Sequence, residues 1–413
     1  MCKKSIENYY LTKNLPFCIL VFMIKRKVLP LLQKELNSDE IIVLTGMRRT
    51  GKTTLVRCLY DNLKNCRKVY LDLENPLNQT YFSQVDYEKV KLHLEQLAHG
   101  KGKRLVVFLD EIQNIKNLPS IVKYLYDHFK IKFILTGSAS FYLKNLFSES
   151  LAGRKRIFEL YPLDFEEFLN YKAPNLKKPK LDEKITKAIF HLFEKYISEY
   201  LNYGGFPSVV LKKSHQEKIA ELDDIFTSYY QKEILLLSDF RKTNVMKNTI
   251  ILLSQRVGSK LDIAKIASEL GVSRITIQEY LDFLEQTYFI KRIRPFSKKI
   301  DVALRGQQKP YLCDSGMLTK MGKVPDSTIL ENSILNMLKT YQEIYFYQSK
   351  GGAEIDFLVK KGKKMFAFEV KTKARQNDIN KLKRTSQKLG IKECFIISQN
   401  FSPLSHAIYP FQL

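Results

Sequence analysis

Residues 41–54 read Ile-Ile-Val-Leu-Thr-Gly-Met-Arg-Arg-Thr-Gly-Lys-Thr-Thr. The apolar run at 41–44 has the length of a buried strand, and the apolar spacing from 52 to 63 predicts a helix. Between them, 46–53 fit the pattern G-x-x-x-x-G-K-[ST]. Gly46 and Gly51 let the backbone turn tightly and aim its N–H groups inward, and the helix start adds its positive dipole end. Gly46, Met47, Arg48, Arg49, Thr50, Gly51, Lys52, Thr53 and Thr54 are therefore expected to wrap the phosphates of ATP. Lys52 would reach the β- and γ-phosphates, and the Thr53 hydroxyl would ligate Mg²⁺.

Working outward, the strand–helix alternation continues. Apolar runs at 69–73, 105–109 and 132–136 predict strands; periodicity at 28–36, 86–98 and 119–129 predicts helices. Unbroken apolar strands alternating with helices predict a parallel sheet covered on both faces, an α/β fold. The strand at 105–109 ends in Asp110-Glu111, and ligands of open α/β sheets sit at carboxyl ends of strands. Asp110 would hold Mg²⁺ largely through water, and Glu111 would polarise the attacking water as general base. A binding-only switch needs no Glu111, so its presence favours hydrolysis.

The next strand runs into Thr136-Gly-Ser138-Ala-Ser140. A polar side chain here would lie beside the γ-phosphate; Thr136 or Ser138 can serve, and helix capping is the plainer role for Ser138. Arg154, in Leu-Ala-Gly-Arg, would either act as a finger on transferred charge or anchor DNA or a neighbouring acid.

Taken together these stretches resemble a prokaryotic group of AAA-type ATPases, STAND-like and of the "archaeal ATPase" sort, that continue into a domain of unknown function. The matching pieces are 46–53, Asp110-Glu111, 135–140 and 151–154. The run 160–169 (Leu-Tyr-Pro-Leu-Asp-Phe-Glu-Glu-Phe-Leu), 203–207 (Tyr-Gly-Gly-Phe-Pro), 311–316 (Tyr-Leu-Cys-Asp-Ser-Gly) and 354–371 also match. The resemblance implies a P-loop parallel-sheet ATPase core, a helical lid, a winged helix and a C-terminal α/β restriction-endonuclease-like domain. It departs at 137–140, where Ala139 stands in place of a usual serine. Members of the group begin close to Met23.

Two later constellations carry their own signals. Residues 261–287 give a helix, a tight turn at Gly271, and a second helix capped by Ser273, a helix-turn-helix pattern. Arg274, Thr276, Gln278 and Glu279 would lie on its outer part, and 290–295 suits a basic wing strand. The module binds DNA, packs internally or binds protein. Near the end, Glu354 and Asp356 share one strand and Glu369 and Lys371 the next, the acid-then-E-x-K order of restriction-endonuclease-like sites. Asp356 and Glu369 would bind Mg²⁺, Lys371 would orient water, and Glu331 could complete the acid set. The plainer alternative is a polar hairpin face. Between 360 and 388 eleven Lys/Arg stand against two acids, a path for a phosphate backbone or a solvated cationic helix.

Composition bounds the rest. The 413 residues are 45% hydrophobic and 27% charged, which excludes a fully disordered chain and allows two to four domains. Net charge is +25, so an anionic partner is expected, nucleic acid before an acidic membrane surface. The six cysteines form no C-x-x-C pair, which argues against a zinc site or disulfide framework and for a reducing, cytoplasmic setting. The apolar run 15–24 is too short to span a bilayer, which takes about 20 residues, and no cleavage site follows it. Residues 1–22 are thus a doubtful extension, with Met23 the alternative start.

The expected organisation is an ATPase core at 23–165, a helical lid at 166–240, a winged helix at 241–325 and a nuclease-like domain at 326–413. The expected function is ATP hydrolysis coupled to DNA engagement, with a protein partner and self-association as further expectations. The rivals are a non-catalytic switch scaffolding a protein partner, and an ATP-gated nuclease in defence or mobile-element biology.

Overall fold

The computed structural model describes residues 24–137, 151, 153–235, 243–297, 303, 305–339, 343–349 and 351–413. Residues 1–22, Met23, Ser138 and Ala139 lie outside the described residues. The chain divides into two compact units that meet in sequence at Tyr161–Pro162.

The first unit is built on five parallel strands in the order β2-β3-β4-β1-β5: β1 (Ile41–Thr45), β2 (Arg67–Asp72), β3 (Leu105–Asp110), β4 (Lys132–Gly137) and β5 (Lys155–Glu159). Its helices among the described residues are α1 (Leu29–Glu35), α2 (Lys52–Asn62), α3 (Pro76–Thr80), α4 (Tyr87–Leu97) and α5 (Leu118–Phe129). Strand alternation sorts the core into two faces. Ile41, Val43, Val107, Leu109, Phe133 and Leu135 pack with Val90 and Leu94 of α4 and with Ile121, Val122 and Leu125 of α5. Ile42, Leu44, Val106, Phe108 and Ile134 pack with Leu32 of α1 and Leu55, Val56 and Leu59 of α2. Both faces of β1, β3 and β4 are covered, which is why their sequences are continuous apolar runs. β5 does not read as a strand in the sequence. It is an edge strand, Lys-Arg-Ile-Phe-Glu, with no fully buried position.

The second unit begins with α6 (Phe165–Lys172), α7 (Lys187–Tyr203), α8 (Pro207–Leu211) and α9 (His215–Tyr229). Then come α10 (Thr243–Gln255), α11 (Ile263–Leu270) and α12 (Arg274–Gln286). Asp262 caps α11, and Ser273 caps α12 by accepting the Thr276 N–H at 3.1 Å. β6 (Ile290–Pro295) and β7 (Lys309–Leu312) pair antiparallel. α13 (Ser315–Met321) and α14 (Asp326–Leu338) precede β8 (Glu343–Gln348), β9 (Glu354–Lys361), β10 (Lys364–Lys371), α15 (Gln376–Leu389), β11 (Glu393–Ser398) and β12 (Ala407–Ile408).

These strands form one mixed sheet, β12-β11-β10-β9-β8-β6-β7. The expected boundary at 325 therefore cuts through a sheet, because Arg294 and Pro295 of β6 pair with Tyr345 and Phe346 of β8. Nor is 290–295 a free basic strand. It is flanked on both sides, and the Arg292 guanidinium is spent on Asp282 (2.6 Å) and Glu285 of α12.

Candidate functional site: the phosphate loop and the buried acid set

The loop leaves β1 at its carboxyl end and enters α2. Gly46 is required by a close approach: a Cβ there would stand 2.1 Å from the Leu160 carbonyl oxygen, and its φ is 148°. The loop is braced from within by the Thr50 hydroxyl, which donates to Met47 O at 2.9 Å. Lys52 is buried, and its ammonium donates to Gly46 O and Met47 O, both at 2.8 Å. Thr53 and Thr54 follow on the first turn of α2, both half-buried. Arg48 reaches Glu74 at 3.9 Å, and Arg49 is exposed with a φ of 66°.

Sequence reasoning missed Arg26. Its guanidinium donates to Thr50 O at 3.0 Å and to Tyr161 O at 2.6 Å, so it ties the loop to the last residue of this unit. The only sequence signal was a basic cluster just before the first helix.

Asp110 and Glu111 lie at the carboxyl end of β3, and Thr136 at that of β4. Asp110 is 1% exposed. One of its oxygens accepts from the Tyr70 hydroxyl at 2.7 Å, the other from the Thr136 hydroxyl. The same Thr136 oxygen accepts the Glu111 backbone N–H at 3.3 Å. Glu111 has a φ of 55°, a left-handed conformation that costs a non-glycine residue about 1–2 kcal/mol. Its carboxylate accepts from the Gln113 side-chain amide. Burial, then the neighbouring Asp110 carboxylate, push the Tyr70 phenol well above the ordinary tyrosine value. Thr136, Asp110 and Glu111 thus form one hydrogen-bonded set, while Ser138 lies outside the described residues.

Arg154 lies away from the phosphate loop of its own chain. Its carbonyl accepts the N–H of Ile41, the first residue of β1, whereas the phosphate loop follows Thr45. Five strand residues separate the two, about 15 Å. The side chain donates to Asp127 at 2.8 Å and does not reach the loop of its own chain. The contact with Asp127 matches one of the roles the sequence leaves open, the anchoring of a neighbouring acid.

A second charged cluster lies in the other unit. The register Phe357↔Phe368 brings Asp356 of β9 beside Glu369 of β10, and Asp356 accepts the Val370 N–H at 2.7 Å. Lys371 donates to Glu369 at 2.7 Å. Glu331 of α14 accepts from the Tyr311 hydroxyl at 2.6 Å. Lys309 of β7, absent from the sequence reading, is 4% exposed and bonds Glu354 at 2.5 Å.

Burial and the Asp356 charge raise both Glu331 and Glu369 to about 7. Burial pulls Lys309 down, but Glu331, Glu354 and Asp356 more than reverse it. One oxygen of Glu369, Oε2, is buried without a hydrogen-bond partner among the described residues. Among those residues no three His, Cys, Asp or Glu side chains are grouped closely enough to hold a metal ion. Nor is any helix among them long and apolar enough to cross a membrane.

A family model described as an AAA domain matches residues 38–169. Two more, described as domains of unknown function (DUF8612 and DUF4143), match 194–328 and 322–407. An uncharacterised protein of Haemophilus influenzae is 26% identical over 360 residues, covering 83% of this chain and 86% of that one. An uncharacterised protein of Mycobacterium tuberculosis is 24% identical over 355 residues, 82% and 72% of the two chains. Among solved structures, a Walker-type ATPase of Pyrococcus abyssi aligns with a TM-score of 0.47 at 14% identity, over 72% of this chain and 95% of that one. Residues 38–169, which hold the phosphate loop between β1 and α2, are thus similar to the AAA domain family.

Proposed function

We propose that this protein is a Mg²⁺-dependent ATPase that couples its nucleotide state to DNA engagement by its second unit. One observation carries the reading. The buried Lys52 ammonium stands at the head of α2, in a loop that begins where β1 ends, and the hydrogen-bonded trio Asp110, Glu111 and Thr136 occupies the same end of the sheet. Lys52 and the loop N–H groups would take the phosphates. The Thr53 hydroxyl and the Asp110 carboxylate are hard oxygen donors that suit Mg²⁺, which would supply charge neutralisation at the phosphates. Each Asp110 oxygen already accepts one hydroxyl proton and keeps a second lone pair, which would hold the cation largely through water. Glu111 would accept the proton of the attacking water, and the Thr136 hydroxyl fixes the backbone from which it acts.

The test separates binding from turnover. Lys52→Ala should lose ATP binding, and Glu111→Gln should bind ATP and hydrolyse it slowly. Undiminished turnover in Glu111→Gln removes the base assignment.

DNA engagement rests on charge. Lys363, Lys364, Lys373, Arg375, Lys381 and Arg384 are exposed on or beside β10 and α15, in a chain of net charge +25. The helix pair α11–α12 is the second element in support, with Arg274 and Glu279 exposed and Thr276 and Gln278 half-exposed. ATP hydrolysis should rise on adding DNA, and absence of any DNA binding at low salt overturns this half of the proposal.

A second reading, an ATP-gated nuclease, is favoured by the orphaned Glu369 Oε2, an oxygen that suits a bound cation. In that reading Asp356 and Glu369 would hold Mg²⁺ and Lys371 would orient water; Glu331 is not grouped with them closely enough to make a third ligand. Metal-dependent loss of substrate DNA is its test.

A further inference from the structure

Three neighbouring strands converge on one carboxylate. The sheet order places β2 and β4 on either side of β3. From β2 the Tyr70 hydroxyl donates to Asp110 Oδ2 at 2.7 Å; from β4 the Thr136 hydroxyl donates to Oδ1. Behind Tyr70 stands Arg57 of α2, the helix that Lys52 opens. Its Nε donates to the Tyr70 oxygen at 3.3 Å, and its guanidinium lies 5.2 Å from the ring centroid. The ring is further fixed by Tyr60, edge-on at 5.9 Å.

A carboxylate turns easily about its last torsion, whose wells are broad. One donor on each oxygen, from the strands on either side, removes that freedom and leaves each oxygen a lone pair to spare. We infer that Tyr70, backed by Arg57, is a positioning residue that fixes the plane of the Asp110 carboxylate for a hydrated divalent cation bound with the nucleotide. The inference rests on the ATPase reading above and adds a residue that no sequence pattern marks. Arg57 matters because it accepts no proton: by donating to the Tyr70 oxygen it leaves the phenolic hydrogen no partner there, so that hydrogen is directed to Asp110.

The test reads binding rather than turnover. Affinity for a fluorescent ATP analogue is measured for the full chain in EDTA and in saturating Mg²⁺, for wild type and for Tyr70→Phe. Phenylalanine keeps the ring packing and removes one hydrogen bond to a charged acceptor. In EDTA the two proteins should bind alike. In Mg²⁺, Tyr70→Phe should lose about tenfold of the metal-dependent gain in affinity. Arg57→Met should show a smaller loss of the same kind. An equal loss in both buffers makes Tyr70 merely structural and overturns the inference, as does no loss in either. Wild type that binds the analogue in neither buffer overturns the ATPase reading itself. Wild type that binds it with no gain from Mg²⁺ removes the metal role of Asp110, and this inference with it.

Discussion

The Asp314 carboxylate closes on the backbone N–H of Gly205, 2.7 Å away and 109 residues distant in sequence. Its other oxygen caps α13, accepting from Gly316 N at 2.9 Å and Met317 N at 3.2 Å. Two sequence signatures, Tyr-Gly-Gly-Phe-Pro at 203–207 and Cys-Asp-Ser-Gly at 313–316, are thus two halves of one clasp. Their role is architectural.

Gly204 pays for this closeness with its side chain. Its φ is 72° and its ψ −162°, and a Cβ would stand 1.8 Å from the nearer Asp314 oxygen. Gly204→Ala should destabilise the second unit by about 3 kcal/mol, through backbone strain plus a displaced carboxylate. Chemical denaturation followed by circular dichroism reads it. The first unit's nucleotide binding should be unaffected.

The clasp also sets a pH dependence. Burial raises Asp314 to about 6, from an ordinary 3.8, although three backbone N–H groups and Lys339 oppose the shift. The folded state therefore holds the proton more tightly than the unfolded one between those two values. Stability should fall as pH rises from about 4 to about 6 and level off above, by about 3 kcal/mol for this group alone. Asp314→Asn should remove that portion of the slope. Subtracting the two denaturation series across pH 4–7.5 isolates it; identical slopes contradict it.

Thr136 bridges Asp110 and Glu111. Thr136→Val keeps the shape, removes the hydroxyl from Asp110 and strips the acceptor from the Glu111 N–H. Turnover should fall about tenfold to a hundredfold while ATP affinity changes little. Single-turnover kinetics beside equilibrium binding will separate these.

Arg26 should matter to binding rather than to chemistry. Arg26→Ala frees the Thr50 carbonyl from one of its braces, and ATP affinity should weaken about fivefold. Arg26→Lys should not fully restore it, because one ammonium does not reproduce the guanidinium fork that spans Thr50 and Tyr161.

The charged cluster of the second unit should split by charge. Asp356→Ala and Glu369→Ala should abolish any metal-dependent cleavage while DNA affinity holds or rises. Lys371→Ala should abolish cleavage and weaken binding slightly. Replacing Lys381, Arg384 and Lys388 together should flatten the salt dependence of DNA binding and leave DNA-free ATP hydrolysis unchanged. An unchanged salt slope would mark this face as merely solvated.

What could be read from the sequence follows from burial and distance. β1, β3 and β4 announced themselves because both faces are covered, and the phosphate loop because its chemistry is local in sequence. β5 was hidden by its place at the sheet edge, where Lys155, Arg156 and Glu159 need no apolar neighbours. Tyr70 and Arg26 were hidden for another reason. Their partners lie 40 and 135 residues away, and neither residue belongs to a pattern with fixed spacing. Lys309 was missed likewise: it enters the acid cluster from β7, a strand assigned by sequence to a different module. Arg154 kept several roles open because chain order near the loop does not say which end of the sheet a residue occupies.

The seven-stranded sheet has a consequence for anyone wishing to excise its parts. A fragment cut at residue 326 would strip β6 and β7 from the sheet and leave the flank of β8 as a raw edge. The backbone groups of Tyr345 and Phe346 that now pair with Arg294 and Pro295 would face solvent. Such an edge is a template for a second chain, so the isolated piece should clump where the intact protein does not. The stretch that resembles a detachable module is grafted in place by strands encoded before it begins.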